Sequence, residues 1–327
     1  MISLGKFFRN YTGLLRRFKF SYVVNNLLNK KHLQHNVKLY KKFGLKKSIY
    51  APIGSQDFPN PSEDIPWLDK PNAKERLFAS KKFEQFPKEI REELFRFVDD
   101  GYMILKGFFN ENSINQLNTD IDNLLNKQQV GFNYTGKKIM ESYRHSKVAD
   151  QFFRDARLLE LLSFAMGKNI IPFHTINFIE GSEQRAHSDF IHMTTEPRGY
   201  LIAAWIALED CYEGNGPLFF YPGSHRLPYT LANDFPSGNT AWMLGSNPNR
   251  QYEDKMAEII NAKSLQKKHF IAQKGDVLIW HANLIHGGEA IRDKGTTRKS
   301  MVAHYFCKDI ICYHEISQRP ALLEIKD

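Results

Sequence analysis

The sequence predicts a mainly β protein with α-helices, in which a helical N-terminal layer packs on a β jelly-roll core. Three observations carry that expectation. From Ile170 onward, short apolar runs follow one another, each bounded by Gly, Pro, Asn or Asp and without long helices between most of them. Before Ile170, apolar residues recur mostly at helical spacing. The chain has 327 residues and is 42% hydrophobic, with 25 Phe and 14 Tyr, which is enough apolar surface for a large aromatic-rich core.

Taken in order, residues 1–50 form a basic arm. They hold twelve Lys or Arg and no acidic residue, so of the 45 basic and 36 acidic residues in the chain, 33 and 36 fall beyond residue 50. The body is therefore nearly neutral, at −3, and lacks the basic clustering of a nucleic-acid-binding domain. In the arm, Leu4, Phe7, Phe8, Tyr11, Leu15 and Phe18 recur at helical spacing with Lys6, Arg9, Arg16, Arg17 and Lys19 between them. Two expectations stand side by side: peripheral contact with an anionic membrane through residues 1–50, or packing of the same stripe on the body. A targeting leader is a third, weakened because the basic pattern runs on through Lys46 and Lys47. Residues 51–80 read as a Pro-rich linker, with Pro52, Pro59, Pro61, Pro66 and Pro71 holding it extended over the surface. Residues 81–327 would form the domain that holds the β jelly roll.

Within that domain, Ile90, Leu94, Phe97 and Val98 mark a helix after Pro87, and Gly101–Phe109 reads as a strand. Ile114 to Leu125 mark a second helix. Val148, Phe152, Ala156, Leu159 and Leu162 mark one further helix, capped by Gly167. The expected strands are Ile170–Ile179, Tyr200–Leu208, Pro217–Tyr221, Asp276–Trp280 and Arg298–Phe306. A polar insertion, Leu227–Lys268, carries a helix near Tyr252–Ala262. No apolar run approaches the roughly 20 residues of a membrane-spanning helix, and no secretory signal opens the chain. Three cysteines (Cys211, Cys307, Cys312), none in a CxxC, suit a reducing, cytoplasmic setting.

The chemistry is expected in the β half. His187-Ser188-Asp189 places an imidazole and a carboxylate two residues apart, on one side of an extended chain. A second imidazole stands far downstream at His286. Two imidazoles and one carboxylate on one face of an octahedral ion leave three positions open, the arrangement used by non-haem Fe(II) oxygenases. Alone, an HxD among 12 histidines is weak, and a solvated His-Ser-Asp turn fits it equally well. Further on, alternation puts Arg298 and Ser300 on one face of a strand, where a guanidinium beside a hydroxyl suits a dicarboxylate.

These pieces, HSD at 187–189, GPLFFYPGSH at 216–225, KGDVLIWHANLIHGG at 274–288 and the late Arg298, occur in an order that resembles the phytanoyl-CoA dioxygenase family from about Gly101 to Phe306. The resemblance implies a double-stranded β-helix and an Fe(II)/2-oxoglutarate-dependent dioxygenase that consumes O2. It implies iron on His187, Asp189 and His286, the distal carboxylate of 2-oxoglutarate on Arg298 with Ser300 helping, and Trp205 beside the co-substrate. Asp189 favours hydroxylation over halogenation, since related halogenases replace the carboxylate with a small residue. Asn177 is a further candidate for the co-substrate, against a buried, satisfied amide. Arg292 and Lys294 compete with Arg298. His281 is expected in the core or behind the ligands, His192 on the surface or in a hydrogen bond, and His225 in a turn. Glu209-Asp210 and the Trp242 loop read as loop chemistry. The expected partner is a small-molecule or lipid-linked substrate, with no nucleic acid. Two other classes remain: a cupin-like metal binder without oxygenase activity, with no use for Arg298, and a membrane-associated scaffold with a vestigial metal site.

Overall fold

The computed structural model describes residues 17–133 and 136–324. The arm's stripe from Leu4 to Leu15 lies outside them. The described chain opens with α1 (Lys19–Leu28) and α2 (Asn36–Lys42), followed by the Pro-rich stretch. That stretch is not a free tether: Ile53, Phe58 and Leu68 are buried. Four of the next elements are helices, α3 (Ala73–Phe78), α4 (Lys81–Gln85), α5 (Lys88–Asp100) and, after strand β1 (Tyr102–Leu105), α6 (Glu111–Asn126). Helix α5 stops at Gly101, whose φ of 81° is open to glycine, and a Cβ there would lie 2.5 Å from the His225 ring.

After the two-residue strand β2 (Ile139–Met140) come α7 (Lys147–Phe153) and α8 (Ala156–Met166). The single helix expected here is two, because Asp155 accepts hydrogen bonds from the backbone N–H groups of Arg157 and Leu158 and so starts a new helix. The β part comprises β3 (Ile170–Phe178), β4 (Thr194–Glu196), β5 (Leu201–Ala207) and β6 (Leu218–Phe220). Helix α9 (Pro248–Ala262) fills the insertion and is followed by β7 (Lys268–Phe270), β8 (Val277–His281) and β9 (His286–Gly288). The chain closes with β10 (Ser300–Cys307), β11 (Ile311–His314) and β12 (Arg319–Pro320).

The large sheet is antiparallel, in the order β1-β8-β5-β10-β3-β2, and two three-stranded sheets, β7-β6-β9 and β12-β11-β4, complete the β part. Strands β5, β8 and β10 are buried on both faces, which is why they read as continuous apolar runs rather than alternating ones. Period-2 alternation then sorts their side chains. Ile202, Ala204, Ile206, Val277, Ile279 and Met301 pack toward helices α5–α8. Ala203, Trp205, Leu278, Trp280 and Val302 point the other way, with Leu218, Phe220 and Phe270 of the β6–β7 pair. The helices thus close one face of the large sheet and leave the inner face for the site. Truncating Ile206 to Ala on the helix-covered side should cost about 2–5 kcal/mol, read by denaturant unfolding.

Candidate metal centre and co-substrate cavity

His187 and His286 meet by backbone pairing. Each N–H donates to the other's carbonyl, at 2.9 and 2.8 Å, forming a bridge at the end of β9. The imidazoles sit side by side, centroids 4.5 Å apart. Ser188 is extended and Asp189 opens a short turn, Asp189–Ile191, so that Asp189 follows His187 onto the same side. One ligand atom from each of His187, Asp189 and His286 lies within 4.8 Å of the others, and all three residues are buried. Asp189 Oδ1 is 3.8 Å from His187 Nε2 and 3.7 Å from His286 Nε2. Tyr252, from the insertion helix α9, fixes the turn by accepting from the Ser188 N–H at 3.0 Å.

The tautomers follow from the partners. His187 Nδ1 lies 2.9 Å from the Arg185 carbonyl, and His286 Nδ1 lies 2.9 Å from the Leu284 carbonyl. A carbonyl only accepts, so each Nδ1 carries the proton and each Nε2 keeps its lone pair for a metal. The Gln184 amide lies 3.1 Å from His187 Nε2, and it must move aside for a metal. Burial, then the neighbouring His286 ring, holds His187 well below the ordinary imidazole range. Burial by itself raises the Asp189 carboxyl, but the His286 and His304 rings outweigh it and hold it well below the usual carboxylate range. The second carboxylate oxygen is separately engaged: Oδ2 accepts from Trp280 Nε1 at 2.8 Å and from His304 Nε2 at 3.2 Å. Asp189 is thereby turned to offer Oδ1 alone. Gly287 has no room for a side chain, since a Cβ would lie 2.4 Å from the Phe219 ring and 2.6 Å from the Gln184 carbonyl. Two imidazole nitrogens and one carboxylate oxygen, converging with their outer atoms already satisfied, suit a ferrous ion with open positions.

The triad lines a cavity of about 960 Å³. Arg298 and Trp205 line the same cavity. Arg298 is 1% exposed, and its Nε and Nη1 have no hydrogen-bond partner. Its guanidinium lies 5.3 Å from the Trp205 ring. Trp205 Nε1 and Ser300 Oγ are likewise buried without partners. Burial lowers the Arg298 guanidinium to about 10. The Glu209 carboxylate acts on it only electrostatically, and a buried guanidinium without a hydrogen-bonded counter-charge is costly, a cost that an anionic ligand would relieve. Charge, donors and enclosure therefore fit a dicarboxylate.

Other expected residues fall elsewhere. Asn177 does not line the cavity. On β3 it is Phe173, at a register shift, and His174, Ile176 and Phe178 that do, and Asn177 points to the opposite face, where its Oδ1 accepts from Ser142 Oγ at 2.6 Å. Arg292 and Lys294 are exposed and do not compete with Arg298. His281 is no ligand: its Nε2 lies 3.1 Å from Asp69 Oδ2 and its Nδ1 accepts from the Asn283 N–H. The odd offset from His286 is not the reason, for the two stand on different strands. His192, half-buried, lines the cavity, its ring 5.3 Å from that of His314. His225 stands in the Ser224–Arg226 turn, with Nδ1 lacking a partner. Glu209 and Asp210 tie loops together by accepting from the Lys299 and Lys274 N–H groups. The roles of His304 and Trp280 at Asp189, and of Tyr252 at Ser188, carry no signal in the motifs. His304 was legible in principle, at even offset from Arg298 and Ser300 on one strand.

Residues 97–300 match the family described as phytanoyl-CoA dioxygenase (PhyH). The chain belongs to the phytanoyl-CoA dioxygenase family. It is similar to the peroxisomal phytanoyl-CoA dioxygenase of Bos taurus, 22% identical over 242 residues, covering 67% of this chain and 68% of that protein. It is also similar to the ectoine dioxygenase of Sphingopyxis alaskensis, 26% identical over 214 residues and covering 58% and 67%. Among solved structures, the fold resembles the α-ketoglutarate-dependent carbocyclase SnoK, with a TM-score of 0.57 at 14% identity over 75% of this chain and 95% of that one. It also resembles EctD from S. alaskensis with 2-oxoglutarate and 5-hydroxyectoine, with a TM-score of 0.52 at 21% identity over 66% and 75%. The core thus has the jelly-roll fold of these structures, and this family member is a dioxygenase.

Proposed function

We propose that His187, Asp189 and His286 hold the iron, that Arg298 with Ser300 and Trp205 receives the distal carboxylate of 2-oxoglutarate, and that the enzyme hydroxylates an unactivated C–H bond of a small-molecule or lipid- or glycan-linked substrate. The observation that carries this reading is the buried guanidinium of Arg298, unpaired in the same cavity as the triad. When bound, iron and 2-oxoglutarate supply the oxidising chemistry, with O2 reduced, 2-oxoglutarate converted to succinate and CO2, and one oxygen atom passed to the substrate.

The chain's own contribution is placement and enclosure. His187 and His286 are fixed by carbonyls two residues upstream of each. Trp280 and His304 hold Asp189 by its second oxygen, leaving coordination positions for co-substrate and O2. The rest of the cavity wall is mixed: Phe173 and Phe306 offer apolar surface, while His174, His192 and His314 offer imidazoles. Such a wall suits a substrate with an apolar body and a polar part. The cupin-like binder has no use for Arg298, and a vestigial site has no reason to keep three ligands and their outer partners in register. The test is incubation of purified enzyme with Fe(II), 2-oxoglutarate and candidate extracts under air. The expected result is substrate-stimulated succinate with a product one oxygen heavier; no stimulation by any extract, with failure to retain iron, would remove the proposal.

A further inference from the structure

Helix α1 is oriented opposite to what burial of an apolar face would dictate. Its buried residues include Lys19 and Asn26 beside Tyr22. Lys19 Nζ donates to Gln318 Oε1 at 2.7 Å and to the Thr240 carbonyl, and Asn26 Nδ2 donates to the Tyr50 carbonyl at 2.9 Å. The apolar side chains point outward: Phe20 is 73% exposed, Leu28 80%, and Val24 and Leu27 are exposed with them. Their spacing, i, i+4, i+7, i+8, makes one continuous stripe. The Trp242 loop adjoins it, since the Lys19 N–H donates to the Trp242 carbonyl and Phe18 bridges to Met243, and Trp242 is 78% exposed. Among the described residues none covers this stripe, because polar hydrogen bonds hold the helix by its other side.

Cations flank both ends. Exposed Arg17 precedes the helix, exposed Lys30 and Lys31 follow Leu28, and no acidic residue occurs anywhere in residues 1–50. An apolar stripe with a Trp at its edge and exposed cations at both ends is complementary to an anionic bilayer, where apolar side chains enter the headgroup boundary and cations meet lipid phosphates. A second copy would bring the same positive charge against itself. We infer that the outward face of α1, with Trp242, docks this protein on anionic membrane surfaces. Asn25 and Asn26 of the same helix line the rim of the cavity, so docking sets that opening beside the lipid. That last step rests on the oxygenase reading; the docking does not.

The test uses the full chain, without iron or 2-oxoglutarate, sedimented with phosphatidylcholine vesicles with and without phosphatidylglycerol. Expected are binding that requires phosphatidylglycerol and weakens in high salt, and loss of about tenfold or more in affinity for Phe20→Ser/Leu28→Ser and for Trp242→Ser. These residues are exposed, so thermal unfolding should be unchanged, separating lost docking from lost fold. No binding to anionic vesicles would overturn the inference, as would equal binding by the variants. So would a self-associating wild type that the double variant renders monomeric, or binding abolished by removal of residues 1–16 yet retained by both variants. Because no cofactor is present, failure here leaves the succinate assay standing, and failure there leaves the vesicle result standing.

Discussion

The inner end of the cavity and its rim are built differently. Around the triad, every outer atom with a visible duty is engaged: Asp189 Oδ2 by Trp280 and His304, the imidazole Nδ1 atoms by backbone carbonyls, the Ser188 N–H by Tyr252. Among the described residues, the buried atoms without partners include Arg298 Nε and Nη1 and Trp205 Nε1 on the cavity wall, Ser300 Oγ on β10, and the Nδ1 atoms of His174 and His304. At the rim, Asn25 from α1, Arg144 from a loop, Glu253 from the insertion helix and Arg319 from the C-terminal hairpin meet on the same cavity, each from a different part of the chain. The inner end is a fixed receptor on central strands, and the rim is an assembly of peripheral segments. The proposed function assigns chemistry to the first and substrate choice to the second.

The sharpest way to break that division is at the triad. His286→Ala should abolish iron retention and all turnover, measured by metal analysis and succinate formation; a variant that keeps stoichiometric iron would contradict the assignment. Arg298→Ala comes next. Loss of charge-assisted hydrogen bonds to the distal carboxylate should raise the 2-oxoglutarate requirement about 10- to 100-fold with little change in iron content. Trp280→Phe and His304→Phe free Asp189 Oδ2, and each should weaken iron binding about tenfold, the usual scale for partners that orient a ligand. The smallest effect is expected at the rim: Arg319→Ala should move the KM for substrate about two- to fivefold and leave the 2-oxoglutarate requirement untouched. If it moved both, the two ends would not be separable.

Legibility in the sequence follows the same line. Strand alternation and motif order were enough to single out His187, Asp189, His286, Arg298 and Trp205, which line one cavity, and the long strands β3, β5 and β10 were readable as apolar runs. Asn177 was misplaced although the same alternation puts Ile176 and Phe178 inward; its polarity suggested a role that its parity denies. The break between α7 and α8 was missed because one apolar period runs through it, and only the Asp155 cap marks the stop. Strands of two to four residues such as β2, β4, β9, β11 and β12 are too short to show a period. The rim was illegible for a deeper reason: its residues come from widely separated stretches of the chain, and no local pattern predicts that Asn25 and Arg319 share a cavity. The arm showed amphipathic character, but periodicity alone does not say that the apolar side of α1 faces out.

The most direct measurement is an anaerobic calorimetric titration of the metal-free protein, first with Fe(II) and then with 2-oxoglutarate, for wild type and Arg298→Ala. One ferrous ion should bind to each, and 2-oxoglutarate should then bind the wild type tightly, only after iron, and the variant at least about tenfold more weakly. If 2-oxoglutarate bound both proteins equally well, or bound the wild type without iron as tightly as with it, the buried guanidinium and the His-Asp-His cluster would not be the two ends of one co-substrate site.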